Sequence, residues 1–86
     1  MKELSALPNI GKVLAGKLKQ VGINNEHELK LMGSEKAILK IATLEQSGAC
    51  INMLYALEGA IQGIRWHGID KDRKQELKVW YQMLNK

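Results

Sequence analysis

The residues with the strongest chemical bias lie between Leu7 and Ile23, LPNIGKVLAGKLKQVGI. This stretch holds the chain's only proline, three of its eight glycines and three lysines, and it has no carboxylate. Pro8-Asn9-Ile10-Gly11 has the composition of a tight turn, because proline presets φ while asparagine and glycine accept left-handed backbone. Such a turn at the start of a helix aims backbone N–H groups outward at the positive end of the helix dipole, where phosphate oxygens are favoured. Asn9, Ile10, Gly11 and Lys12 are the candidate turn contacts, with Lys17 and Lys19 on the following helix as candidate additions. Contacts of this kind hold a polyanion backbone without reading its sequence. Asn9 stands where a glycine-rich turn carries its first glycine, which puts a side chain in the path of a phosphate. The same turn-plus-helix also occurs as a packing device in helical interaction domains.

The remaining reactive residue types assemble into no catalytic pattern. His27 and His67 lie far apart in sequence and read as surface or capping residues, so no metal site is expected. Cys50 falls on the apolar side of a helical pattern and reads as a buried structural thiol. No Cys-His or Ser-His-Asp arrangement accompanies it. Glu58 is expected to form a stabilising ion pair with Arg65 or Lys74. Trp66 is expected to close the core as a plug, and Lys71, Arg73, Lys74 and Lys78 to form a solvated face. Neither a cofactor nor an enzymatic reaction is implied.

Composition narrows the class. The chain has 86 residues, is 45% hydrophobic and carries a net charge of +4, which fits one small globular domain over residues 1–86. The charge is split evenly, since residues 1–33 carry five Lys and three Glu, and residues 34–86 carry eight basic and six acidic side chains. No apolar run reaches the roughly 18 residues of a membrane helix, and MKELSALPN lacks the apolar core of a signal peptide. A lone cysteine fits the reducing cytoplasm.

The elements that position these residues read as helices throughout. Lys2 to Ala6 forms at most one turn before Pro8. From Gly11 to Val21 the buried positions are Leu14, Leu18 and Val21, with Lys12, Gly16 and Lys19 opposite. Asn9 suits an N-cap or a left-handed turn residue, and Gly22-Ile23 suits a Schellman ending. Asn25 and Glu28 resemble a capping box, Leu29 and Met32 face inward, and Gly33 ends this short helix. Ser34 is the expected cap of the next, whose apolar face is Ala37, Ile38, Ile41 and Ala42. Ser47 is expected to cap the central, most apolar helix, about Ala49 to Gln62. There Ala56, Gly59 and Ala60 would let a neighbouring helix approach. After a connector over residues 63–69, Asp70 caps a last helix packing through Leu77, Trp80, Tyr81 and Leu84. The expected fold is all-α, a compact five-helix domain.

Leu7–Ile23 resembles a helix-hairpin-helix element, with Gly11 and Ala15 at the close-packing positions and Leu18 and Ile23 as apolar contacts. Adding GSEKA, INMLYALEGAIQGIRW and the Lys-rich final helix, the chain resembles the C-terminal domain of the TfoX (Sxy) family, bacterial regulators of natural competence. Asn9, Ile10, Gly11, Leu18, Gly22, Ile23, Leu29, Gly33, Leu54, Ala56, Leu57, Glu58, Ala60, Gly63 and Trp66 carry the likeness, which runs from about Leu4 to Leu84. It implies a helix-hairpin-helix/SAM-like domain without catalysis, whose partner is a protein of the transcription machinery or a regulator. DNA-backbone binding through the hairpin is the alternative. Full-length members add an N-terminal domain, so this chain is expected to be a stand-alone or excised domain.

Overall fold

The computed structural model describes residues 3–44 and 50–84. Pro8 cannot continue a helix and biases the preceding residue toward extended backbone. The first element is therefore a single 3-10 turn, Leu4–Ala6, ending at Leu7 with ψ 151°. The Pro8–Gly11 turn leads into α1 (Lys12–Gln20). Its end is the expected Schellman motif: the Ile23 N–H donates to the Leu18 carbonyl at 2.9 Å and the Gly22 N–H to the Lys19 carbonyl at 3.0 Å, with Gly22 at φ +88°. The buried face centres on Ala15 and Leu18, while Leu14 and Val21 are half-buried at its edges.

Asn25 caps α2 (Glu26–Met32), its Oδ1 accepting the Glu28 N–H at 3.0 Å. The Glu28 carboxylate reaches back one residue further than a capping box does, to the Asn24 N–H at 2.7 Å. Gly33, at φ +83°, ends α2, and α3 (Ser34–Leu44) starts at once. Ser34 is thus the first helical residue of α3 and not its cap, because no residue is left between the helices. Its hydroxyl turns to Glu58 instead. Central α4 runs from Ile51 to Gln62. Cys50 precedes it in extended backbone and is exposed. The expected buried thiol is therefore corrected: the chain is not yet helical there, so the helical spacing that put Cys50 on the apolar face does not apply. The expected cap Ser47, and Ala49, lie outside the described residues.

A second 3-10 turn, Trp66–Gly68, occupies the connector. Asp70 caps α5 (Lys71–Leu84), its Oδ2 accepting the Asp72 N–H at 3.1 Å. The described residues contain five α-helices and no strand, the all-α architecture expected. α4 packs against α2, α3, α5 and the second 3-10 turn, and Leu54, Leu57 and Ala60 on it are fully buried. α5 packs through its middle only. Leu77 is fully buried and Trp80 and Tyr81 half-buried, but Leu84 is 38% exposed and leaves the inward face assigned to it.

Two polar ties fix the packing. Asn9, at φ +68°, is the one non-glycine residue with positive φ among those described. Its Nδ2 donates to the Ile64 carbonyl at 2.9 Å and the Ala56 carbonyl at 3.4 Å, and its Oδ1 accepts the Trp66 N–H at 3.1 Å. Gly59 makes room for this. A Cβ there would lie 2.5 Å from Asn9 Nδ2 and 2.8 Å from the Ile64 carbonyl oxygen. The small residue on α4 thus admits a side chain and a connector, not the neighbouring helix expected.

The second tie centres on Glu58, 8% exposed. Its Oε1 accepts from the Ser34 hydroxyl at 2.7 Å and from Arg73 Nη2 at 2.9 Å, and its Oε2 accepts from Gln62 Nε2 at 2.6 Å. The predicted partners Arg65 and Lys74 are not used. Arg73 points from α5 toward α3 and α4, where it also meets Glu35 at 3.1 Å. Arg73 is thereby removed from the solvated face assigned to it. Burial pushes the Glu58 carboxyl up. Hydrogen bonds from Arg73, Gln62 and Ser34, with the Arg73 charge, outweigh burial and leave the group below its ordinary 4.5.

Gly59→Ala should destabilise the fold by about 1–3 kcal/mol through overpacking, lowering Tm by on the order of 10 °C. Gly16→Ala, in open space within α1, should stabilise by roughly 0.5–1 kcal/mol. Thermal melts of both variants test the assignment, and equal effects would refute it. Glu58 contributes stability that is complete above its unfolded pKa and lost as pH falls through its lower folded pKa. In urea titrations between about pH 5 and pH 3, Glu58→Gln should lose stability less steeply than the parent chain. Parallel curves would refute this.

Candidate nucleic-acid interface

The six hairpin candidates divide into an inward and an outward set. Asn9 is turned inward by its bonds to residues 56, 64 and 66. Ile10 is 4% exposed, and its N–H donates to the Leu7 carbonyl at 3.3 Å. Gly11, Lys12 and Lys19 are exposed, and Lys17 is half-buried.

Gly11 is the N-cap of α1, in extended backbone at φ −93°, ψ −174°, a position considered for Asn9. No side chain caps α1, and its first turn holds no acid. The first N–H groups of a helix have no intrahelical acceptor, so the positive end of α1 is left to solvent beside Lys12. The space outside Gly11 is open. Lys12, Gly16 and Lys19 line the outer stripe of α1 at i, i+4, i+7. Backbone N–H groups and ammonium groups can hold an anion. They offer neither a base nor a nucleophile. The Asn9 side chain does not stand before this end, because its carboxamide is engaged with the backbone of residues 56, 64 and 66.

Sequence reasoning missed a second feature beside the hairpin. Trp66, whose N–H is held by Asn9, stacks on Tyr55 with ring centroids 6.2 Å apart and planes 7° apart. His67 lies 3.9 Å from it in a second stacked contact, and Lys74 Nζ sits 5.2 Å from the ring centroid. Trp66 is half-buried. It lies against Tyr55 of α4 outside the core cluster, not as the core plug expected, and it supports exposed His67 and the Lys74 chain. The available signal was the spacing of Lys71, Lys74 and Lys78, at i, i+3, i+7 along α5 and just after Arg65-Trp66-His67.

The other side of α5 carries an apolar groove of about 500 Å³ lined by Asp72, Gln75, Glu76, Val79, Trp80 and Met83. Among the described residues no group of three or more His, Cys, Asp or Glu could hold a metal ion. No described helix is long and apolar enough to cross a membrane.

Comparison with known proteins agrees with this architecture. The chain is similar to an uncharacterized protein from Listeria monocytogenes solved in a triclinic form, with a TM-score of 0.95 and 52% identity over 98% of this chain and 94% of that one. A tetragonal form of a Listeria monocytogenes protein of unknown function gives a TM-score of 0.90 and 54% identity over 94% and 98%. Protein Sxy of Escherichia coli K12 is 33% identical over 79 residues, which cover 92% of this chain and 37% of that protein. The chain therefore spans little more than a third of the length of that curated relative. Residues 1–81 match the TfoX C-terminal domain, and with a fold and hairpin of the kind described above the chain belongs to the TfoX C-terminal domain family.

Proposed function

We propose that this domain is a non-enzymatic binding module of a cytoplasmic, competence-type transcription regulator. In this reading the open end of α1 holds the phosphate backbone of duplex DNA. The observation that carries it is the division of labour in the hairpin. Asn9 spends its side chain inward, while Gly11, Lys12 and Lys19 remain exposed around an uncapped helix end. Uncapped N–H groups and paired lysines favour phosphate through charge and geometry, and they favour every base sequence alike. Membership of a family that includes a relative named Sxy supports the regulatory setting.

The groove on α5 favours a second reading, a protein partner from the transcription machinery or another regulator. Its apolar floor of Val79, Trp80 and Met83 and acidic rim of Asp72 and Glu76 suit a segment with apolar and basic residues. The two surfaces use different faces of the domain, so both can operate in one molecule.

Fluorescence anisotropy with labelled duplex DNA tests the first reading. For about three phosphate contacts, affinity should fall roughly 40-fold between about 50 and 200 mM salt. Lys12→Glu combined with Lys19→Glu should abolish binding. Gly11→Asp supplies a good N-cap and should hold Tm or raise it, yet also lose binding, because its carboxylate occupies the anion position. Absence of binding by the unmodified chain at low salt would end the reading. Met83→Glu should leave DNA affinity unchanged while blocking capture of a protein partner.

A further inference from the structure

We infer that the DNA-contacting surface continues from the α1 end across the second 3-10 turn onto α5. Arg65, Lys71, Lys74 and Lys78 are its further phosphate contacts, and the Tyr55–Trp66–His67 pile is its rigid floor. This deepens the hairpin reading and rests on it.

The juxtaposition follows from one bond. Trp66 N–H to Asn9 Oδ1 at 3.1 Å fixes the Arg65–Trp66 peptide against the hairpin turn, two residues before Gly11. Arg65 and His67 are exposed on either side of that anchor. Lys74 lies over the Trp66 ring, so α5 begins on the same side of the molecule. Helical spacing then places Lys71 and Lys78 on the stripe of Lys74, within about a sixth of a turn. Asp72 and Glu76 fall on a different stripe, with Val79 and Met83.

Three carboxylates of α3, α4 and α5 are drawn to one guanidinium. Glu35, Glu58 and Glu76 all converge on Arg73. Asp70, at the edge of the stripe, accepts the Asp72 N–H as a helix cap and keeps its charge beside Lys71. Among the described residues, Arg65, Lys71, Lys74 and Lys78 form no ion pair with a carboxylate. Four cations beside a helix end with two more is a composition that suits a strand of phosphates and little else. The stacked rings matter mechanically. Tyr55, His67 and the Lys74 chain already occupy the Trp66 surroundings, so the pile supports cations and does not offer a face for an inserted base.

The test uses the full chain with a duplex of about 20 base pairs, measured across a salt series. Arg65→Ala should lower the slope of log K against log salt by about one, and Lys71→Ala with Lys78→Ala by about two, with little dependence on sequence. In Trp80→Phe protein Trp66 is the only tryptophan, and its emission should change on DNA binding. Far-UV circular dichroism confirms that each variant is folded. If the Arg65 and α5 variants keep the parent slope while Lys12→Ala with Lys19→Ala lowers it, the extension is wrong and the hairpin reading stands. If the unmodified chain binds no DNA, both fall. Tighter binding of single strands than duplex, with strong Trp66 quenching, would make the pile a base platform and overturn its role as a floor.

Discussion

The carboxamide of Asn9 is the contact on which the arrangement of this domain depends. Left-handed backbone at position 9 turns the chain into α1, and asparagine tolerates that region better than other residues with a side chain. The same residue then satisfies polar groups at the exit of α4. The α4 end is itself closed by Gly63 N–H to the Ala60 carbonyl and Ile64 N–H to the Gly59 carbonyl. That closure presents the Ile64 carbonyl and Trp66 N–H to Asn9. A buried donor or acceptor left without a partner costs about 1–3 kcal/mol, so the turn, the α4 end and the connector are stable as a set. Gly59 is the condition for all of it, since any side chain there would occupy the space of the carboxamide.

The distribution of charge follows a parallel logic. Arg73 gathers Glu35, Glu58 and Glu76 on the seam where α3, α4 and α5 meet. Breaking a buried pair costs more than the pair contributes over an apolar substitute. The tie is therefore better understood as fixing where α5 lies than as a large source of stability. Drawing three carboxylates to one guanidinium also leaves the outer lysines of α5 out of any ion pair with them. A chain with a net charge of only +4 can in this way present a locally basic surface. Net charge measured the total, and the topology made the separation.

Local rules were legible wherever they depended on neighbours in sequence. The Schellman ending at Gly22, the Asn25 and Asp70 caps, the central apolar helix and the all-α class all follow from periodicity and capping chemistry within a few residues. The hairpin candidates were legible as residue types, but their directions were not. Asn9 faces partners 47–57 residues away, a distance over which spacing carries no information. Glu58 had several cations within reach of a helical estimate, and the choice of Arg73 depended on how α5 rotates about its axis. Cys50 failed for a simpler reason: the apolar pattern was read as helical from about Ala49, and α4 begins at Ile51, after Cys50. The Trp66 pile escaped because aromatic stacking joins a helix to a connector, and no periodic signal spans that junction.

A helix-hairpin-helix element ordinarily uses two helices to hold its turn, and here the first is reduced to three residues of 3-10 turn. That is too short to orient anything, since even one α-helical turn takes about 3.6 residues. The missing support comes from α4 and its exit, through Ala56, Gly59, Ile64 and Trp66. All four lie in INMLYALEGAIQGIRW, the string that carried the family likeness. The diagnostic segment is thus the socket of the hairpin, and the two halves of the likeness are one structural unit. A glycine at position 9 would accept the same φ and leave the socket empty, so the direction of the N–H groups at Gly11 and Lys12 would no longer be set. Asparagine in place of glycine therefore belongs to the geometry of the turn, as the element that fixes it against α4 and its exit.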